Sequence, residues 1–145
     1  MTFGEYKENG MEGTEEDSQL QGIKQLGSSL DEHFVNLLLF QAQLKIMHWG
    51  TESYSQHNAY GMTYDSISEG LDTLVESYQG YHGRIDFGNS CEFISFSDVE
   101  PNSWLKTMME CLTTLRENVK ETDLQNLIDE LISDVSKLMY LLTLK

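Results

Sequence analysis

The sequence predicts an all-α protein, a four-helix bundle with one long connection between its second and third helices. Apolar residues recur at steps of three and four through four separate segments. The breaks between segments one and two, and between three and four, are only a few residues long, and the latter makes helices three and four antiparallel neighbours. The middle connection instead runs for about 20 residues and holds Gly83 and Gly88, a length usually tied to function or to an interface.

Residues 1–22 stand apart from this pattern. Glu5, Glu8, Glu12, Glu15, Glu16 and Asp17 face only Lys7, and few apolar residues interrupt them. Such a segment buries too little apolar surface to offset its ordering entropy. Residues 1–22 are therefore expected as an acidic, flexible arm, and residues 23–145 as the bundle.

The first helix is expected over 23–49, where Ile23, Leu26, Leu30, Phe34, Leu37, Gln41, Leu44 and His48 form one stripe. Leu39, Phe40, Ile46 and Met47 lie off that stripe, and a helix apolar on more than one face must cover more than one. A second subunit is the expected cover. Gly50 and the polar run Thr51-Glu52-Ser53 break this helix, and a second follows over 54–79 with Tyr60, Tyr64, Ile67, Leu71, Leu74, Val75 and Tyr78 as its stripe, ending at Gly80. Alternation from Glu92 to Phe96 suggests a short strand or hairpin arm in the long connection. Pro101 suits the first turn of a third helix, 101–119, which carries Trp104, Met108, Cys111, Leu112, Leu115 and Val119. Thr122 and Gln125 have capping-box spacing before a fourth, 123–143, with Leu124, Leu127, Ile128, Leu131, Val135, Leu138 and Leu142.

Charge narrows the function classes. The 145 residues carry 9 Lys plus Arg against 24 Asp plus Glu, a formal charge of −15. Neutralising phosphates needs a basic surface, so neither nucleic acid nor an anionic membrane is an expected partner. No apolar run approaches the ~20 residues of a membrane span. The amino terminus lacks the features of a secretory signal, and Cys91 and Cys111 are too few for a disulfide framework, so a reducing, cytoplasmic setting is expected. No Ser or Cys stands beside a His in a nucleophile motif, and no glycine-rich phosphate loop precedes a helix.

The chemistry-bearing stretch is 48–76. His48-Trp49 closes the first helix, His57 opens the second, and Asp65, Glu69, Asp72 and Glu76 follow on it. At 100° per residue the four carboxylates share an arc of about 60°, flanked by the His57 imidazole. Mixed imidazole and carboxylate donors suit iron, manganese or zinc. The same arc points away from the helix's own apolar stripe, as an ordinary solvated face would, and His48 continues the core stripe of the first helix.

His48-Trp49, then His57, then Asp72-x-x-x-Glu76 resembles the signature of the Dps family, ferritin-like proteins of starved bacteria. Asp72 and Glu76 stand at the family's spacing from the second histidine. The interval from His48 to His57 is shorter than the family's, and Gly61 occupies the position of a family aspartate; Asp65, one turn on, stands in only if the site is shifted. The resemblance implies a ferritin-like (Dps-like) four-helix bundle and a homo-oligomer, dimer or larger. It also implies an iron site between subunits, His48 and His57 from one chain and Asp72 and Glu76 from the other, able to oxidise Fe(II) as a ferroxidase. The family's DNA binding through a lysine-rich arm is not implied, because this arm is acidic.

The chain also resembles small uncharacterised proteins of tailed bacteriophages, through Lys45–Thr51, Tyr78–Arg84 and Tyr140–Lys145. That resemblance implies a phage origin, a place in the host cytoplasm or the virion, and a phage or host protein as partner. The alternative to an iron-binding protein is thus a phage structural or assembly bundle with a vestigial metal site. A third reading is an acidic mimic of DNA.

Overall fold

The structure is a computed structural model that describes residues 15–88 and 91–145, with side chains from Leu30 onward. The described residues form four helices: α1 Glu15–Gly50, α2 Tyr54–His82, α3 Pro101–Glu117 and α4 Thr122–Leu141. α1 starts at Glu15, earlier than the expected 23; the rest of the expected flexible arm, residues 1–14, lies outside the described residues.

Local chemistry explains the other boundaries. Ser53 is the N-cap of α2, its Oγ accepting from the Gln56 amide at 3.3 Å. α2 runs through the expected stop at Gly80 and ends at Gly83, whose φ of 86° is open to glycine without a Cβ penalty. Glu100 caps α3, and Pro101 occupies its first turn, where a missing N–H costs nothing. The expected capping box at Thr122 is not made. Glu121 is the N-cap without a side-chain bond, and Gln125 Nε2 donates instead to the Val119 carbonyl at 2.9 Å, bridging the α3–α4 turn.

Side-chain pairs give the helix directions. Phe34 meets Tyr78 at 4.6 Å between ring centres, while the ring of His48 lies over Gly61, so α1 and α2 are antiparallel. Phe40 meets Trp104 at 5.0 Å, and Cys111 Sγ lies 3.7 Å from the His33 carbonyl, so α3 descends α1 as well. Ser66 donates to Asp134 at 2.8 Å and Tyr81 to Asp123 at 3.1 Å, which sets α4 antiparallel to α2. α2 and α3 therefore run in the same direction, and their connection must travel the length of the bundle.

It does so along α1. The Asp86 amide donates to Asp31 at 3.3 Å near one end. Midway, Gln43 Nε2 donates to the Ile94 carbonyl at 2.7 Å and Gln43 Oε1 accepts from the Ile94 amide at 3.0 Å. At the other end the Phe96 ring packs on the backbone of Gly50, where a Cβ would come within 2.6 Å of it. The described residues hold no strand. A single extended segment has no neighbouring edge to pair with, so Ile94 satisfies its backbone through Gln43, and the segment leads into a 3-10 turn, Phe96–Asp98.

The core lies between the four helices, built from Phe34, Leu37, Leu44, Leu74, Leu105, Leu112, Leu115, Leu124, Ile128, Val135 and Leu138 among others. The second apolar set of α1 does not form an outer face. Phe40 and Met47 are buried in this core, and Leu39 and Ile46 are half-buried, because α1 is covered by α2, α3 and the crossover together. Among the residues of α1 whose side chains are described, the large apolar ones exposed are Leu38 and Trp49.

Candidate metal centre

The three-residue turn Thr51–Ser53 folds the end of α1 against the start of α2. The Ser53 amide donates to Thr51 Oγ1 at 3.1 Å, and Thr51 Oγ1 donates to Gln56 Oε1 at 2.7 Å. This tight turn brings His48 and His57 face to face. Their rings stack with centres 3.8 Å apart and planes 19° from parallel.

Each ring is held by the other's backbone. His48 Nδ1 donates to the His57 carbonyl at 2.7 Å, and His57 Nδ1 donates to the His48 carbonyl at 2.9 Å. A carbonyl only accepts, so both Nδ1 atoms carry hydrogen and each neutral ring keeps its lone pair on Nε2. A backbone carbonyl holding the non-ligating nitrogen is the usual second contact of a metal-binding histidine. The same lattice of bonds also makes a structural latch between the two helices.

Gly61, expected as a missing ligand, has a second role. A Cβ there would lie 2.9 Å from His48 Cε1 and 3.0 Å from Nδ1, so the absent side chain is what admits the His48 ring. Nothing in one sequence marks that role, because the two positions meet only once the helices pack. Lys45, one turn below His48, lies 4.4 Å over the Tyr64 ring and 5.9 Å from the Trp49 ring.

The carboxylates sit elsewhere. Asp65, Glu69, Asp72 and Glu76 are all exposed on the outward side of α2, as their shared arc predicts. Fifteen residues of helix put Asp72 about 22 Å from His57 along α2, and Glu76 about a turn further. One chain thus joins His48 to His57 and leaves Asp65, Asp72 and Glu76 apart from them. Among the described residues no three His, Cys, Asp or Glu side chains converge closely enough to hold a metal ion. Asp72 instead borders a pocket of about 250 Å³ between α1 and α2, walled by Phe34, Leu38, Leu71, Val75 and Phe87.

No helix among the described residues is long and apolar enough to cross a membrane. Both cysteines are free; burial pushes the Cys111 thiol up to about 12, which makes it inert at neutral pH.

No curated protein and no solved structure matches the chain. A family model described as a family of unknown function, DUF5856, matches residues 48–142, a stretch that opens on His48 and takes in the histidine pair, the acidic face of α2, the crossover and all of α3 and α4. With about two thirds of its length matched, the chain belongs to the family of unknown function DUF5856.

Proposed function

We propose that this protein is a Dps-like, ferritin-fold protein that binds iron between two copies of the chain and oxidises Fe(II) there. The observation that carries this reading is the histidine pair. Both rings are held in the tautomer that leaves Nε2 open, and His57 stands at the spacing from Asp72-x-x-x-Glu76 that the resemblance requires. The connectivity supports it too, since one long crossover in a four-helix bundle is the arrangement of ferritin-like folds.

The donor set fits iron in part, and zinc or manganese as well. His48 and His57 offer one Nε2 each, but their stacked planes do not converge on a single ion, so the site is incomplete in one chain. Asp72 and Glu76 of a second chain would supply the remaining oxygens, with Asp65 as a further carboxylate on the same face. Iron held there supplies a one-electron reductant to dioxygen or peroxide. The chain's own part is to fix the imidazoles and to present an acidic face that draws cations in.

A second reading is favoured by Gly61. With His48 filling its space and the two rings bonded to backbone, the pair is complete as a helix latch without metal. The protein would then be a phage structural or assembly bundle with a vestigial site. Anaerobic titration with Fe(II), followed by admission of air, separates the two. Saturable binding with oxidation faster than in buffer is expected; no saturable binding overturns the iron reading.

A further inference from the structure

We infer that the α1–α2 face is a two-fold contact between copies of this chain, in which Trp49 of each enters the pocket beside Asp72 of the other. The inference rests on the two-chain reading above and names the surface that makes it.

The face carries both halves of such a contact. Trp49 is 71% exposed at the end of α1, an unusual place for the largest apolar side chain. The pocket at the opposite end of the same face has apolar walls, including Leu38, itself 49% exposed, and Phe87 from the crossover. Ser68 also lines the pocket, and its Oγ is buried with no hydrogen-bond partner among the described residues. An entering indole brings one N–H donor and no acceptor, which suits a hydroxyl or carboxylate wall.

Knob and pocket are also placed symmetrically. Leu38 and Trp49 lie about 16 Å apart along α1, with their midpoint between Gln43 and Leu44, less than half a turn from Lys45. The matching level of α2 is Tyr64, because the Lys45 ammonium lies 4.4 Å over that ring. A two-fold axis through this level, normal to the face, carries each Trp49 to within about a helical turn of the other chain's pocket. On α2 the midpoint of His57 and Asp72 falls beside Tyr64 and Asp65. One operator therefore seats both indoles and brings each histidine pair to the partner's carboxylates. The two Lys45 side chains lie near the axis, where they offset the crowding of Asp65 against its own copy.

Sedimentation of the full chain at micromolar concentration, in chelator and again with anaerobic Fe(II), tests this. Wild type is expected as a dimer. Trp49→Ala and Leu38→Asp should each weaken it tenfold or more, as truncation of a buried aromatic anchor does. Tyr140→Ala, an exposed aromatic on α4, should leave it unchanged. Mixing the two weakened variants should recover dimer, since one intact indole then meets one intact pocket. In a Trp104→Phe background Trp49 is the only indole, and its emission should move to the red as dilution separates the chains. A dimer that keeps its strength in Trp49→Ala, or a Trp49 emission that does not move when dilution separates the chains, overturns the insertion while the two-chain reading stands. A monomer under both conditions overturns both.

Discussion

Gly61 and His48 share one space: the imidazole of His48 lies where a side chain on α2 would begin, 2.9 Å from the place of the missing Cβ. The glycine is thus the counterpart of the histidine stack. Alanine at 61 would gain about 0.5–1 kcal/mol of helix preference, yet it must push the ring off its carbonyl. Overpacking of this kind costs about 1–3 kcal/mol. Gly61→Ala should therefore lower stability by about 1 kcal/mol net and separate the two rings in histidine-resolved NMR. Gly61→Asp, which restores a carboxylate where the Dps signature has one, should weaken Fe(II) binding rather than improve it. Tighter binding in that variant would show that His48 has room to move.

The proposed ligands should act as one unit. His57→Ala and Glu76→Ala should each lower Fe(II) affinity, and the double change should cost less than the sum, because both damage one site. Glu69→Ala, on the same face but not in the proposed set, is the control. Equal losses in all three would reduce the effect to general charge.

Gln43 should act through the crossover. The residue is 2% exposed, and its side-chain amide makes both hydrogen bonds to the backbone of Ile94. Gln43→Leu keeps the bulk and removes both bonds, for a loss of about 1–2 kcal/mol. Cleavage by chymotrypsin after the exposed Phe93 should become faster, while helix content by circular dichroism stays the same. Unchanged cleavage would refute the clamp.

Glu100 should set part of the acid limit of stability. Hydrogen bonds from the Ser103 backbone amide and side chain hold its carboxyl below the usual value of 4.5. With the folded pKa depressed, the unfolded chain binds more protons, so this contribution is full above about 4.5 and fades as pH falls through the lowered value. Glu100→Gln should make thermal stability less steep in pH over that window and hardly affect its shape at neutral pH. An identical acid limb in wild type and variant would remove Glu100 from this role.

Much of the bundle was legible because helix periodicity is local. The stripes on α2, α3 and α4 name most of the buried residues but miss Leu105 and include Tyr64, Val75, Trp104, Leu127 and Leu142, which are half-buried. Pro101 marks a real start because its missing donor costs nothing there, whereas α2 runs past the expected Gly80 to Gly83. Two of the misreadings share one cause. The second apolar set of α1 and the alternation near Phe93 were assigned by what a single segment shows, whereas their cover is the crossover and α3, distant in sequence. Gln43 had a faint signal, a polar residue inside an apolar run, but its partner Ile94 lies 51 residues on.

The sequence by itself determined four amphipathic helices, one long connection and an acidic outer face on α2, since each follows from the spacing of neighbouring residues. Only tertiary structure decided that His48 and His57 stack and that Gly61 makes room for them. Those relations depend on the register between antiparallel helices, which is set by side-chain packing across the core and is invisible along the chain.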